Sequence, residues 1–309
     1  VYTGTAQWAK VVETADQIIN SGIFELAKDF SDNFTPEMDY SNNKEVIFAV
    51  PYDRLYGGFH QQHKWYPPNA RDHFGNYNDY FWGGSCANPQ FINAYEEGDK
   101  RLEKTWIMGK RYKHDDPSVL VWEAINYLPS LTCMRDGENK THINWGYRVG
   151  KFVYDIETTG GWSNDFAYFR YAEILLSKAE ALMRQGKNED EAAALVSQIR
   201  ARVFDDAAQA TVTAADLKAD TRIQYGTLDW DNNIDKLGDQ TPVYLGGLYD
   251  EWGFEFACEA QRRSQMIRFG TFTTKNWFNH EPVGDHVTIF PIPLDELQTN
   301  PNLKQNPGY

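Results

Sequence analysis

Apolar residues recur every three or four positions in three long stretches of the chain. In "TAQWAKVVETADQIINSGIFEL" the positions are Trp8, Val11, Val12, Ala15, Ile18 and Ile19, which predicts one amphipathic helix stopped by "NSG" at 20 to 22. Its start lies a few residues from Val1, and such a stripe cannot bury itself, so further helices are expected upstream. In "FAYFRYAEILLSKAEALMRQGKNEDEAAALVSQIRARVF" the positions Tyr168, Tyr171, Ala172, Leu175, Ala179 and Leu182 line a second helix. "GWSND" before it offers N-cap oxygens and Gly186 ends it. Ala192, Ala193, Val196, Ile199 and Val203 line a third, which predicts a tetratricopeptide-like αα-hairpin.

"GGLYDEWGFEFACEAQRRSQMIRFG" reads as one further helix with Glu251, Glu255 and Glu259 a turn apart. Like charges at that spacing repel, so cations from elsewhere are expected to face them. A two-residue alternation appears only briefly, in "KEVIFAVPYD" and around Tyr147, Val149, Phe152 and Tyr154, and predicts short strands. Four prolines between 291 and 309 argue against helix in the tail.

One stretch fits neither period. "KWYPPNARDHFGNYNDYFWGG", residues 64 to 84, holds seven rings: Trp65, Tyr66, Phe74, Tyr77, Tyr80, Phe81 and Trp82. Prolines and glycines break it into a loop, and about half of the rings, Phe74 and Phe81 first, are expected to be buried to anchor it. Sugar rings present apolar faces and a rim of hydroxyls, so aromatic side chains beside Asn, Asp and Arg suit a carbohydrate. The candidate contacts are Trp65, Tyr66, Arg71, Asp72, Tyr77, Asn78, Tyr80 and Trp82, with Trp106, Trp122, Trp145 and Trp162 in reserve.

Composition narrows the function classes. With 30 basic and 44 acidic residues the formal charge is −14, which disfavours nucleic acid and anionic lipid as partners. Three distant cysteines, Cys86, Cys133 and Cys258, exclude a dense disulfide framework and predict free thiols. His60 and His63 lack an evident third ligand, so neither a metal nor a cofactor is expected. There is no nucleophile elbow, no HExxH zinc motif, no phosphate-binding loop and no dinucleotide fingerprint, so the chain is expected not to be an enzyme.

Three blocks together resemble the SusD/RagB family of outer-membrane nutrient-binding lipoproteins of Bacteroidetes. They are Arg170-Tyr171-Ala172-Glu173 through Glu180-Ala181, the helix that keeps Glu251, Glu255, Glu259, Arg262, Arg268 and Gly270, and the terminal "FPIPLDELQTNPNLKQNPGY". The second block departs from the family pattern at Trp252, Ala260, Gln265 and Phe269. Glu173, Arg170, Glu255 and Arg262 are expected to form ion pairs that pack helices, and the tail is expected to close over the helices.

The resemblance implies a mainly α, SusD-like fold of tetratricopeptide-like hairpins with a large irregular region and a few short strands. It also implies one domain over 1–309 that lacks N-terminal repeat helices, with a loop-rich ligand-binding subregion at 45–165 and a helical and tail subregion at 166–309. The implied function is non-catalytic capture of an oligosaccharide or polysaccharide at the cell surface for a SusC-like TonB-dependent transporter. Membrane attachment would be only through an N-terminal lipid anchor that this chain does not contain. A peptide or other nutrient ligand, or a transporter-packing module without its own ligand site, are the alternatives.

Overall fold

The computed structural model describes residues 5–36, 38, 40–53, 66–78, 81–83, 85–129, 143–157 and 163–309. Through residue 149 the elements are α1 (Trp8–Asn20), β1 (Val46–Val50), α2 (Ala70–Phe74), α3 (Pro89–Ile92), α4 (Arg101–Thr105), β2 (Trp106–Ile107), β3 (Gly109–Tyr112), β4 (Leu120–Ala124) and β5 (Arg148–Val149). Then come β6 (Phe166–Arg170), α5 (Tyr171–Gln185), α6 (Glu189–Arg200), α7 (Ala207–Ala210), α8 (Ala214–Lys218), β7 (Gly226–Leu228), β8 (Ile234–Lys236), α9 (Gly246–Phe256), α10 (Arg262–Arg268), β9 (Trp277–Phe278) and α11 (Leu294–Thr299). The fold is mainly α, with tetratricopeptide-like hairpins, a loop-rich region and short strands, as expected. The strands form small sheets: β1–β6, β2–β5, β3–β4 and β8-β7-β9.

α5 packs against both α1 and α6. Ala172, Ala179, Ala192 and Val196 are fully buried where these helices meet, because small side chains let the backbones approach. Gly186 closes α5 in the left-handed conformation (φ 61°), which a glycine adopts without a Cβ clash.

Three expectations are corrected. The helix predicted from Phe166 begins at Tyr171; "FAYFR" before it is strand β6, paired antiparallel with β1 through Val46 and Arg170 and through Val50 and Phe166. A five-residue aromatic run accepts either period, and the free edge of β1 supplies the backbone partners that decide it. "GWSND" therefore caps nothing in α5. Asn164 Nδ2 instead donates to Phe34 O at 2.8 Å and Val153 O at 3.0 Å, and Ser163 Oγ donates to Asp155 at 2.9 Å.

The helix predicted from Gly246 to Gly270 is two helices, separated at Ala257–Gln261, where Cys258 and Ala260 take positive φ. Lys151 Nζ donates to the carbonyls of Glu255 (2.8 Å) and Ala257 (3.0 Å), and Arg170 Nη2 donates to Glu255 O (2.9 Å). Buried cations thus take carbonyls that a continuous helix would have used.

The tail does contain a helix, α11, because its prolines flank that helix and stay out of its interior. No residue from 281 to 309 is buried, and the tail closes largely on itself. Gln305 exchanges hydrogen bonds with the backbone of Ile292, and Tyr309 Oη donates to Ile289 O at 2.8 Å.

There are two main cores. One joins α5, α6, α8, α9 and α10, and the other gathers Phe30, Phe34, Tyr66, Phe81, Trp122 and Phe152 with Val203 and Phe204. Between them runs a buried ionic network, five cations (Arg101, Lys151, Arg170, Arg200, Arg202) on five carboxylates (Asp99, Glu45, Glu251, Glu255, Glu259). The acids expected as one stripe, Glu251 and Glu255 on α9 and Glu259 just past its end, are neutralised from four other segments. Arg262 instead donates to Tyr249 O at 3.0 Å.

Candidate functional site

The aromatic stretch is built from the core outward. Asn69 Nδ2 donates to Val121 O at 2.8 Å, which pins the start of α2 to β4. α2 ends at Gly75, whose φ of 71° suits glycine and whose Cα faces His114 so closely that an added Cβ would lie 2.7 Å from it. His73 Nδ1 is 2.7 Å from Tyr112 O, and His114 N donates to Asp72 O at 2.9 Å, so α2 and the β3–β4 hairpin form one ledge. Burial holds the His73 imidazole below its ordinary pKa, which favours the neutral ring with Nδ1–H donating to that carbonyl.

The rings divide by burial. Tyr66 is 1% exposed and Phe81 is also buried, while Phe74 is half-buried and stacks on Tyr66 (5.2 Å between centroids) and Tyr154 (4.0 Å). Tyr66 was expected to touch ligand; its burial makes it an anchor, since a ring sandwiched in a core offers no face to solvent. Tyr77 and Trp82 are the opposite, at 57% and 61% exposed. Trp65 and Tyr80 lie outside the described residues, as do Trp162, Cys133, His60 and His63.

Of the polar candidates, Arg71, Asp72 and Asn78 sit on α2 and the turn after it, with the Arg71 side chain 3.9 Å from Asp72. Asn76 is buried; its Nδ2 donates to Ile156 O at 3.0 Å and its Oδ1 accepts from Asn78 N at 3.1 Å, which fixes the turn that carries Tyr77. Sequence reasoning missed the β3–β4 hairpin as part of this surface. Lys113 pairs with Asp115 at 2.9 Å and lies near Tyr77 and Asp72, and Tyr112 is exposed beside it. The signal was only "RYKHDD", an exposed-looking charge run with no periodicity. Of the reserves, Trp106 and Trp122 are buried and Trp145 is half-buried.

The arrangement offers stacking faces and hydrogen-bonding groups on a stiff footing. Among the described residues no group of three or more His, Cys, Asp or Glu is placed to hold a metal ion, and no helix is long and apolar enough to cross a membrane. Burial pushes the Cys258 thiol up to about 12 and also raises Cys86, so neither is a ready nucleophile.

Comparison with known proteins gives one consistent answer. The starch-binding protein SusD of Bacteroides thetaiotaomicron is 23% identical over 351 aligned positions, covering 100% of this chain and 57% of that protein. The SusD-like protein P25 of Formosa agariphila is 22% identical, covering 98% of this chain and 56% of that protein. Surface glycan-binding protein A from Bacteroides thetaiotaomicron, solved in complex with laminarihexaose, superposes with a TM-score of 0.60 at 16% identity over 97% of this chain and 59% of that one. The chain thus spans somewhat more than half the length of these relatives. Residues 44–309 match the SusD family model, and the chain belongs to that family.

Proposed function

We propose that this chain is the glycan-binding portion of a non-catalytic nutrient-capture protein held at the outer-membrane surface. The observation that carries the reading is the exposure of two rings of this stretch, Tyr77 and Trp82, the first on the turn after α2 that also carries Asn78, next to Arg71 and Asp72. An aromatic ring buries large area when it meets an apolar sugar face, and amide, carboxylate and guanidinium groups beside it satisfy the sugar hydroxyls. Relatives named for binding starch and surface glycans support the same class of ligand. The bound glycan would pass to a TonB-dependent transporter, and a lipid anchor would hold the protein at the membrane.

The test is calorimetry and affinity electrophoresis of the protein on a panel of soluble polysaccharides, repeated with Trp82→Ala and Tyr77→Ala. Binding of at least one glycan, weakened by either change, is the expected outcome. A glycan that binds both variants as well as the original places the site elsewhere. Release of reducing ends by the purified protein would end the non-catalytic reading.

A further inference from the structure

A cleft of about 440 Å³ lies between α1, β6, α5 and α10 and is separate from the aromatic loop. Its walls carry rings: Trp8, Phe166, Trp252 and, at 52% and 45% exposed, Tyr168 and Phe169. Tyr168 and Phe169 touch edge to face at 4.8 Å, and Phe48 joins them at 6.1 Å from Tyr168. Apart from Val11 and Ala260 the rest of the wall is polar, with Ser177, Gln261 and Ser264 among it.

The charges in this cleft are unequally served. Glu180 holds Arg184 at 2.7 Å and Arg268 at 2.8 Å, and Glu259 is engaged by Arg170 at 2.7 Å and by Lys151. Glu173 also lines the cleft, yet it has no ion pair within 4.0 Å among the described residues, and its Oε2 is buried without a hydrogen bond. Burial raises its pKa, although the Gln261 amide and the more distant Arg170 and Arg268 act against that. A half-buried carboxylate with no cation of its own is a costly arrangement that an incoming cation would relieve.

We propose that this cleft binds a cationic amino sugar, its ammonium against Glu173, its ring faces on the aromatic walls and its hydroxyls on Ser177, Gln261 and Ser264. An ammonium supplies the donors and the charge that Glu173 lacks, and rings around it add cation–π attraction. The sugar body accounts for the alternation of aromatic and hydroxyl or amide lining, which a simple inorganic cation would not use. This site does not depend on the aromatic loop, so either reading can fail without the other.

The experiment is calorimetry with a glucosamine trisaccharide that has free amines, against its fully N-acetylated counterpart, which is neutral. The expected result is binding roughly ten-fold tighter for the free-amine sugar, the scale of one charge-assisted hydrogen bond. Glu173→Gln, matched in size, is expected to abolish that preference, with far-ultraviolet dichroism and thermal unfolding confirming the fold. Ser177→Phe, which fills the cleft from its wall, is expected to abolish binding of both sugars there. Trp82→Ala, which acts on the loop, is expected to leave the preference in place. Equal affinity for the two sugars, a preference that survives Glu173→Gln, or a preference lost with Trp82→Ala would overturn the proposal. So would a concentration-dependent dimer abolished by Phe169→Glu, which would assign the cleft to a second copy of the chain.

Discussion

Arg170 holds Glu255 twice. Its Nη1 donates to the Glu255 carboxylate at 2.7 Å and its Nη2 donates to the same residue's carbonyl at 2.9 Å. One arginine at the junction of β6 and α5 therefore neutralises α9 and also takes a carbonyl at its end. The ring of Phe256 lies 4.2 Å below the guanidinium carbon, so the pair sits in an apolar frame.

Removing that cation should be severe. Arg170→Met leaves Glu45, Glu255 and Glu259 short of a buried partner, and the expected loss of stability is about 3–5 kcal/mol, read by urea or guanidinium unfolding. A loss below about 1 kcal/mol would show that Arg202 and Lys151 compensate by themselves.

The network also sets an acid limit. Burial alone would raise the Glu255 pKa, but Arg202, Arg170, Arg101 and Lys151 overcome it and hold Glu255 at about 2; Glu45 and Glu251 are lowered in the same way. A depressed folded-state pKa gives stability that is present above the unfolded value and lost as pH falls towards the folded one. Asp250 works in the other direction, because burial lifts it to about 6 despite hydrogen bonds from Arg222 N and Thr221 Oγ1. Its ionisation costs stability, and that cost is relieved as pH falls from about 6 towards 3.8. Thermal unfolding against pH should therefore rise modestly between pH 7 and about 4.5 and drop below it. Asp250→Asn should reduce the rise, leaving the part that the raised Glu173 carboxyl contributes, and keep the acid drop; a monotonic profile in the unaltered protein would contradict the assignment.

Two aromatic residues of the same loop should separate function from folding. Trp82→Ala is expected to weaken glycan binding with a stability change within about 0.5 kcal/mol, as for an exposed side chain. Tyr66→Ala is expected to cost roughly 3 kcal/mol or more, as for a large buried ring. Parallel binding and denaturation curves check both, and equal stability losses would refute the division of the rings.

Alanine is the better helix former, yet Gly247→Ala in α9 should destabilise. A Cβ at Gly247 would lie 2.1 Å from the carbonyl oxygen of Asp216 in α8, and backbone there cannot yield as a side chain would. Overpacking of this kind costs about 1–3 kcal/mol, more than the helical gain of up to about 1 kcal/mol. A chemical denaturation midpoint at or above that of the unaltered protein would count against the close approach of α8 and α9.

By itself the sequence determined the elements whose cause is local. The stripes of α1, α5 and α6, the stop at Gly186 and strand β1 follow from spacing and from a glycine that tolerates positive φ. It also showed that Glu251, Glu255 and Glu259 needed cations, though not which ones, because Arg101, Lys151, Arg170 and the neighbours Arg200 and Arg202 all lie far from these acids along the chain. Tertiary structure decided what depends on a distant partner. "FAYFR" became a strand because β1 lay beside it, and α9 ended at Phe256 because Lys151 and Arg170 captured its carbonyls. The aromatic loop shows the same division. Its seven rings were countable, but only the packing of Phe74 and Phe81 on Tyr154, and of Tyr66 on Phe74, separates the anchors from Tyr77 and Trp82, since a loop has no period that assigns a side chain to the core or to solvent.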